Sequence, residues 1–375
     1  MNILEIIGYI LLFFLTLRLL VSVINYLAKM GDRPQIPAEF GVCPRWSLLV
    51  PARDEVKNIG VLLSGVAEFD SDCGLVEVIV YDDGSTDGTA NVVKSYVGQI
   101  PGLRLIEGGK EALPKGWLGK THACHRLGVE AKGEYLLFVD ADVQLGKEVA
   151  GKYILYAHNA RLALLSLFPK QLLSGFQAKI TTPLMNWILL SLLPLPLVRH
   201  SGWSSFSAAN GQFMLFSAHE YKKMLPHKKY GMSRAEDIEI CRYYKNERLK
   251  VATLTADKTV RCTMYKSANE AINGFSKNIF FFFGNSVIVT ILFAVITTIT
   301  PFWLFIFNST AAGLVSIAAI LTVRILISKA SYMNTAENVL LLPVQHYMFL
   351  KIVVRAVKNR YKKELIWKGR NIYLL

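Results

Sequence analysis

Residues 80–89 decide the fold, and they read Val-Tyr-Asp-Asp-Gly-Ser-Thr-Asp-Gly-Thr. An apolar, β-rich run over residues 76–81 leads into two carboxylates, Asp82 and Asp83, and then into a Gly/Ser/Thr turn and a helical pattern. A carboxylate at such a strand end can accept a nucleobase N–H group. Capping of the next helix would explain Asp83 or Asp87 equally well. The stretch therefore predicts a βα unit with acidic residues at the carboxyl end of its strand.

The same pattern repeats from Trp46 to about Leu254, where short β-rich runs alternate with turn residues and helical stretches. The predicted strands are residues 47–51, 76–81, 104–107, 135–139 and 162–167. This alternation predicts an α/β fold with a mainly parallel, nucleotide-binding sheet flanked by helices. The ligand of such a sheet is expected beyond the carboxyl ends of its strands.

A second acidic pair, Asp140 and Asp142, follows the predicted strand 135–139. Because side chains alternate along a strand, we expect both carboxylates to face the same rim. Paired hard oxygens suit Mg²⁺ or Mn²⁺, which also binds diphosphate oxygens and neutralises charge on a leaving group. Many D-x-D triplets are solvated turns, but the strand context favours a metal site here.

A third acidic set, Glu236 and Asp237, opens a helical run that ends near Leu249. A carboxylate there could remove the proton from an acceptor hydroxyl as that hydroxyl attacks an anomeric carbon. The alternative is an acidic first turn that the helix dipole stabilises. Spacing alone favours this alternative.

The composition indicates a membrane protein. Of the 375 residues 52% are hydrophobic, the mean hydropathy is +0.33, and the apolar excess lies at the two ends of the chain. A net charge of +14, concentrated near these ends, suits an anionic membrane surface. Nucleic-acid-binding motifs are lacking, so we expect no nucleic-acid partner. The five cysteines fit neither a disulfide framework nor a zinc spacing, which favours a reducing cytosol.

The apolar ends divide the chain into four predicted parts. Residues 1–28 are predicted as a transmembrane anchor, and the positive flank formed by Lys29 and Arg33 places the next part in the cytoplasm. Residues 29–277 are predicted as the catalytic domain. Within it, about residues 174–200 are interrupted by Pro183, Pro194 and Pro196, which favours interfacial helices over a straight span.

The C-terminal end is predicted to return to the cytoplasm. Residues 278–327 are predicted as two spanning helices, and residues 328–375 as a re-entrant or interfacial segment followed by a basic cytoplasmic tail. The segment 339–354 is short for a membrane span and carries polar side chains. In addition, three full C-terminal spans would place the basic tail outside the cell.

The three acidic sets, in this order, resemble the family-two glycosyltransferases. Two further matches are Val-Pro-Ala-Arg-Asp-Glu at residues 50–55 and Gly-Gln-Phe-Met at residues 211–214. The resemblance covers roughly residues 46–278 and is more specific than any single motif. It implies a GT-A-like fold whose N-terminal half binds a nucleotide sugar and whose C-terminal half binds the acceptor.

The resemblance also implies roles for individual residues. The donor-binding residues would be Pro51, Asp54, Asp82, Asp83, Lys120 and Asp140. Asp142 would hold the cofactor, Mn²⁺ or Mg²⁺, and Asp237 would be the catalytic base. The acceptor-side residues would be Gly211, Gln212 and Glu236.

Residues 264–278 and 367–370 resemble the subgroup that acts on membrane terpenoids and sphingolipids, which includes hopene-associated, ceramide and diaponeurosporenoate glycosyltransferases. Residues 274–278 read Gly-Phe-Ser-Lys-Asn, where processive synthases carry Gln/Arg-x-x-Arg-Trp, so single transfer is favoured. The resemblance thus implies an inverting, metal-dependent transfer from a UDP-hexose to a membrane lipid, at the cytoplasmic side of the cell membrane. Two alternatives stay open: a polyprenyl-phosphate glycosyltransferase of the same fold, and a membrane scaffold on an inactive transferase fold.

Overall fold

A computed structural model describes residues 2–31, 34, 43–70, 73–109, 113–265 and 267–362, and the backbone of residues 366–367 and 370–371. The strands are β1 (Trp46–Ala52), β2 (Leu75–Asp82), β3 (Leu103–Glu107), β4 (Tyr135–Val139), β5 (Val143–Leu145), β6 (Leu164–Phe168), β7 (Lys170–Gln171), β8 (Phe213–Ser217), β9 (Val251–Thr255), β10 (Val260–Cys262), β11 (Ile366–Trp367) and β12 (Arg370–Asn371).

The helices include both short connecting segments and long apolar ones. They are α1 (Ile3–Gly31), α2 (Ile59–Ala67), α3 (Thr89–Ser95), α4 (Gly119–Glu130), α5 (Leu155–Asn159), α6 (Gly175–Thr181), α7 (Pro183–Leu192), α8 (Pro196–His200), α9 (Ala218–Met224), α10 (Pro226–Lys229), α11 (Glu236–Asn246), α12 (Ala268–Asn278), α13 (Val287–Phe307), α14 (Thr310–Ala330), α15 (Thr335–Leu340) and α16 (Leu342–Lys362). A π-helical turn precedes α5 at Ala150–Ile154, and a 3-10 turn follows α12 at Ile279–Phe283.

A seven-stranded sheet in the order β3-β2-β1-β4-β8-β6-β9 forms the centre of the domain. Strand β8 is antiparallel to β4 and β6, and the other neighbouring strands are parallel. A smaller sheet, β5-β10-β7, begins directly after the turn that ends β4. The predicted α/β fold with a mainly parallel sheet flanked by helices is confirmed.

Alternate side chains of β1 enter two different cores, as the two-residue period of a strand requires. Leu48 packs in a core with Leu62 of α2, on one face of the sheet. Leu49 packs on the other face, in a core that also contains Trp187 of α7 and Phe293 of α13. This second core therefore extends without interruption from the sheet to the long apolar helices.

Helices α1, α13 and α14 are each long and apolar enough to cross a membrane. They pack against one another, and their ends coincide. Near the start of α1, the Trp303 indole donates a hydrogen bond to the Leu4 carbonyl oxygen (3.0 Å). At its other end, the Lys29 ammonium lies over the Tyr332 ring, just after α14. Helices α1 and α14 thus run in one direction and α13 in the other.

The first C-terminal apolar helix begins later than the sequence predicts, at Val287 instead of Asn278. Gly284 and Asn285 adopt positive φ angles of 63° and 61°, which an α-helix cannot contain. Ser286 then caps α13 by accepting a hydrogen bond from the Val289 N–H group (3.3 Å). The apolar composition of residues 278–307 does not by itself predict this interruption of the helix.

Residues 174–200 form three short helices, α6 to α8. Pro183 occupies the first turn of α7, where a missing N–H group costs nothing. Asn25 of α1 donates hydrogen bonds to the carbonyl oxygens of Leu190 and Leu193, so α7 is fixed to the N-terminal helix. The predicted segment 339–354 lies in α15 and α16, and α16 packs against α12 and α13. The interfacial location of both regions stays a prediction.

Parts of three predictions lie outside the described residues. They are Arg33 in the positive flank of the anchor, Lys363, Lys368 and the side chain of Arg370 in the basic tail, and Lys266, Lys368 and Gly369 in the segments 264–278 and 367–370.

Candidate active site

The loops after β1 and β2 are joined by hydrogen bonds that involve Asp54 and Asp83. Arg53 Nη1 donates to the carbonyl oxygen of Asp83 (2.7 Å) and to its Oδ2 (3.3 Å). Asp54 donates its N–H group to Ser85 Oγ (2.9 Å), and its Oδ1 accepts the N–H of Thr86 (2.9 Å). These bonds hold Asp54 at a left-handed φ of 52°. The loops that carry Asp54 and Asp83, two of the predicted donor-binding residues, are therefore held together by these bonds.

Asp82 organises the turn that follows β2. Its Oδ1 accepts hydrogen bonds from the Ser85 N–H group (2.8 Å) and the Ser85 hydroxyl (2.5 Å). Gly84 lies against Gly109 of the next loop, because a Cβ on Gly84 would sit 3.3 Å from the Gly109 Cα. Pro51 stands opposite Tyr81 at the end of β1. Donor contacts by Pro51 and Asp82 stay predictions.

Asp140 and Asp142 come together through a turn rather than through strand alternation. Strand β4 ends at Val139, and the Val143 N–H group bonds the Asp140 carbonyl oxygen (3.0 Å) to begin β5. The Asp140 carboxylate faces the Lys120 ammonium, with Nζ to Oδ1 at 2.7 Å. Strand alternation was the wrong reason for expecting both carboxylates at one rim, because β4 ends at Val139 and a turn separates Asp140 from Asp142.

Asp142 carries a buried oxygen, Oδ1, that has no hydrogen-bond partner among the described residues. Burial raises the pKa of the Asp142 carboxyl group, and the charges of Asp140 and Glu55 raise it further. The thiol of Cys262 is hydrogen-bonded to this carboxylate and lowers its pKa in part. A buried anionic oxygen without a hydrogen-bond partner is energetically unfavourable unless a ligand binds to it.

The described residues contain no group of three or more His, Cys, Asp or Glu side chains that could enclose a metal ion. A complete protein cage is not required for Mg²⁺ or Mn²⁺, which commonly binds one or two carboxylates together with substrate phosphates. The unpartnered Asp142 oxygen fits such an ion. The carboxylate oxygens at this turn therefore suit a metal ion whose remaining ligands come from a diphosphate.

Glu236 and Asp237 begin α11 and meet Gly211, which precedes β8. Asp237 Oδ2 accepts the N–H of Gly211 (3.0 Å), and Oδ1 accepts the N–H of Ile238 (2.8 Å). Glu236 Oε1 lies 3.7 Å from Lys120 Nζ. A Cβ on Gly211 would lie 3.1 Å from Lys120 Nζ and 3.6 Å from Glu236 Oε1. Glycine at this position therefore allows the carboxylates and the ammonium to approach the backbone.

The charged groups of this cluster shift one another's pKa values. Burial lowers the pKa of Lys120, but the carboxylates of Asp140 and Glu236 outweigh it and hold that pKa above its usual range. Burial raises the pKa of Glu236 and of Asp237, and Lys120 moderates both shifts. Lys120 is therefore positively charged at neutral pH, and the carboxylates bind protons more readily than exposed ones. A group that accepts protons readily suits general-base chemistry.

Gln212 connects the acceptor-side segment to Asp142. Its Nε2 donates to Cys262 Sγ (2.8 Å), while its Oε1 accepts from Asn210 (3.3 Å) and Gln171 (3.4 Å). The sequence predicted Gln212 but not the other three residues, since an isolated cysteine, asparagine or glutamine carries no pattern. The register of the smaller sheet brings Cys262 to the site, because Cys262 of β10 pairs with Val143 of β5, next to Asp142.

A cavity of about 680 Å³, called here the loop groove, opens beside the loop that precedes α11. One wall comes from that loop and from α11, and the other from α12, the 3-10 turn and α16. The basic lining residues are Lys229, Arg234, Lys277 and Arg360, and the aromatic ones are Tyr230, Phe280 and Phe281. The groove therefore joins the neighbourhood of Asp237 to the entrance of the apolar helices.

The structure places the predicted residues in two adjoining groups. Around Lys120 lie Asp140, Gly211, Gln212, Glu236 and Asp237, with Asp142 in the turn that follows Asp140. At the ends of β1 and β2 lie Pro51, Asp54, Asp82 and Asp83. Their roles in binding or catalysis stay predictions.

Comparison with known proteins shows a sequence match over the first part of the domain. Residues 47–185 match the family model described as glycosyl transferase family 2. Proteins named 4,4'-diaponeurosporenoate glycosyltransferase, from two strains of Staphylococcus aureus, are 36% and 35% identical over 138 residues. The match covers 35% of this chain and 34% of each relative, so it spans about a third of the length of these curated relatives.

The fold extends further than the family match. The mannosyltransferase PcManGT from Pyrobaculum calidifontis, solved in complex with GDP-Man and Mn²⁺, superposes with a TM-score of 0.56 and 16% identity. The superposition covers 96% of this chain and 100% of that one, which shows a common GT-A-like fold. Residues 47–185, which include the β1 and β2 loops, Lys120 and the Asp140–Asp142 turn, are therefore similar in sequence to glycosyl transferase family 2, and the likeness of the whole chain to PcManGT is one of fold.

Proposed function

We propose that the chain transfers one sugar, with inversion, from a nucleotide sugar to a lipid of the membrane in which it is anchored. The observation that carries this proposal is the position of Asp237. Its carboxylate lies in one cluster with Lys120 and close to the Asp142 turn, and the preceding loop forms a wall of the loop groove. The groups proposed for the donor side and for the acceptor side would thus meet at one edge of the sheet.

On the donor side, Asp54 and Asp83 would contact the nucleoside, and Asp140 the sugar or ribose. Lys120 would lie near the diphosphate, which suits the positive charge that its carboxylate neighbours maintain. The relatives' names and the GDP-Man complex of PcManGT support a nucleotide-sugar donor. We propose a UDP-hexose as the donor of this chain.

Asp142 would hold a divalent metal ion, Mn²⁺ or Mg²⁺, through the buried oxygen that lacks a partner. When bound, such an ion neutralises the charge of the departing nucleoside diphosphate. The Cys262 thiol and the Gln212 amide orient the segment around Asp142. The Mn²⁺ in PcManGT supports this assignment.

Asp237 would act as the base that takes the proton from the acceptor hydroxyl. Burial raises its pKa, which makes proton acceptance more favourable than for an exposed carboxylate. The N–H groups of Gly211 and Ile238 hold both of its oxygens in place. Glu236 would lie on the acceptor side, and its negative charge would offset the positive charge of Lys120.

The loop groove would admit the acceptor. Phe280 and Phe281 line it directly before α13 begins, so an apolar chain in the bilayer would meet the groove at its aromatic end. The relatives' name, which denotes a carotenoid acid as acceptor, supports a lipid. We propose that α1, α13 and α14 cross the membrane, with the domain on the cytoplasmic side that Lys29 and Lys329 flank.

The four basic residues of the loop groove favour a second candidate, in which the acceptor is an anionic lipid. A polyprenyl phosphate or a carboxylic terpenoid would place its charge among Lys229, Arg234, Lys277 and Arg360. Such an acceptor oxygen is already ionised near neutral pH. It would therefore need little help from Asp237.

The decisive experiment is mass spectrometry of membrane lipids from cells with and without the gene. We expect a glycosylated lipid that depends on the gene, and its mass and fragments give sugar and acceptor together. Cells carrying Asp237→Asn should lose a product formed on a lipid alcohol. Cells carrying Glu247→Gln, an exposed carboxylate directly after α11, should keep it. A lipid profile that is identical with and without the gene would contradict the proposal.

A further inference from the structure

Two arginines lie buried within the apolar helices, Arg18 in α1 and Arg324 in α14. Their exposed fractions are 5% and 3%. Both lie against the same side chain, Trp187 of α7, with the guanidinium carbons 4.9 and 4.6 Å from its ring centroid. Two positive charges therefore occupy one small region between the membrane helices and the domain.

No carboxylate among the described residues forms an ion pair with either arginine. The Nε and Nη2 atoms of Arg18 both donate to one oxygen, Ser191 Oγ, at 3.2 and 3.0 Å. His346 also lies against Trp187, but its Nε2 is bonded to Thr298 Oγ1 (2.8 Å), and it supplies no negative charge. Ten guanidinium N–H groups thus face very few acceptors within the described chain.

Aromatic contact stabilises a guanidinium without neutralising it. In a low-dielectric interior an unpaired charge is strongly unfavourable, and two charges of the same sign repel each other as well. Ionisable residues inside membrane segments therefore usually have a partner or a ligand. An anion that accepts hydrogen bonds from both guanidinium groups would supply both the missing charge and the missing acceptors.

The depth of the pair identifies the source of the anion. At 1.5 Å per residue, Arg18 lies about 22 Å from the first residue of α1, and Arg324 about 21 Å from that of α14. These two helices begin at the same end of the bundle. In a hydrocarbon layer about 30 Å thick, the pair lies nearer the face that carries the catalytic domain. From this depth a long basic side chain can extend toward the headgroups of that leaflet, where the lipid phosphates lie.

We infer that Arg18 and Arg324 bind the phosphate of an anionic membrane lipid, at a site separate from the catalytic cluster and the loop groove. The inference rests on the proposed membrane location of α1 and α14. Trp187 and Ser191 belong to α7, which packs in the core shared with the sheet. A bound lipid would therefore strengthen the attachment of the domain to its membrane helices.

The test uses the full chain in nanodiscs of phosphatidylcholine, with and without phosphatidylglycerol, and measures the melting temperature. We expect phosphatidylglycerol to raise the wild-type melting temperature and to have no such effect on the double variant Arg18→Met/Arg324→Met. The matched control is Arg355→Met, which removes an exposed charge of α16 and should keep the wild-type response. These readouts need no transfer activity, so they are independent of the proposed function.

Two outcomes would overturn the inference. If the arginines serve only to pack Trp187, the double variant loses stability equally in both bilayers and the wild type does not respond to phosphatidylglycerol. If the site takes any free anion, inorganic phosphate in phosphatidylcholine nanodiscs reproduces the wild-type response.

Native mass spectrometry of the wild type provides a measurement that does not depend on the variant's folding. We expect retention of phosphatidylglycerol over phosphatidylcholine by about tenfold or more, as two charge-assisted hydrogen bonds imply. Equal retention of the two lipids would contradict the site.

Discussion

Replacing Asp237 by asparagine separates the proposed base from a donor ligand. In the wild type both carboxylate oxygens accept backbone N–H groups, from Gly211 and Ile238. Asparagine keeps one acceptor and turns the other atom into a donor that faces an N–H group. One buried hydrogen bond is lost, which should cost about 1–3 kcal/mol of stability. The domain should remain folded, since native stabilities are about 5–15 kcal/mol.

The effect on the transfer step should be much larger than the effect on folding. Loss of a positioned general base slows a reaction by roughly 10²–10⁴-fold. Lipid alcohols have high pKa values, so their attack depends on the base. A carboxylate or phosphate acceptor is ionised near neutral pH and should be slowed far less. The size of the defect in Asp237→Asn therefore identifies the chemical class of the acceptor.

The assay is single-turnover transfer at saturating donor, with donor affinity measured separately so that binding and chemistry are resolved. Thermal unfolding confirms that the variant is folded at the assay temperature. Glu247→Gln serves as the matched control. If Asp237→Asn binds donor far more weakly yet transfers at the normal rate, Asp237 is a donor ligand and its assignment as the base is refuted.

Four further predictions concern the metal, the ammonium, the pH dependence and the membrane topology. Asp142→Ala should abolish EDTA-sensitive donor turnover and leave the melting temperature nearly unchanged, whereas full activity would exclude a metal at Asp142. Lys120→Met should lower the free energy of unfolding by roughly 1.5–3 kcal/mol, the contribution of a hydrogen bond between charged groups, as denaturant titration would measure. Wild-type transfer should fall as the pH drops below neutral, because burial raises the pKa of Glu236 and of Asp142 and both then take up protons. In Lys120→Met this fall should occur at a higher pH, and an unchanged pH profile would contradict the charge coupling. A cysteine at Tyr361, which is 92% exposed, should resist impermeant reagents in intact cells, whereas one at Ser309 between α13 and α14 should react.

The sheet could be predicted because its strands are buried and strongly apolar. Tyr135–Val139 is buried throughout, and the predicted bounds of this strand are those observed. The carboxyl ends of parallel strands in one sheet lie at the same edge, so the sequence predicts a common region for Asp83, after β2, and Asp140, after β4. Here sequence pattern and tertiary structure agree.

Features that depend on local backbone geometry could not be predicted. The turn at Asp140 places the two carboxylates differently from a strand, and the positive φ angles of Gly284 and Asn285 end a run that composition reads as one helix. Cys262 reaches Asp142 only through strand register. Arg18 is merely an interruption in an apolar segment until α14 and α7 are placed beside it.

The core that runs from Leu49 through Trp187 to Phe293 has a further consequence for substrate choice. Because the sheet and the long apolar helices share this packing, rising or tilting of the domain would pull buried apolar side chains apart and expose them to water. On the proposed membrane location, the catalytic edge stands at a fixed height above the bilayer. Acceptors would then be sorted by how far their reactive oxygen protrudes from the lipid surface. A spacer inserted between that oxygen and its lipid chain would reduce transfer even when the chemistry is unchanged.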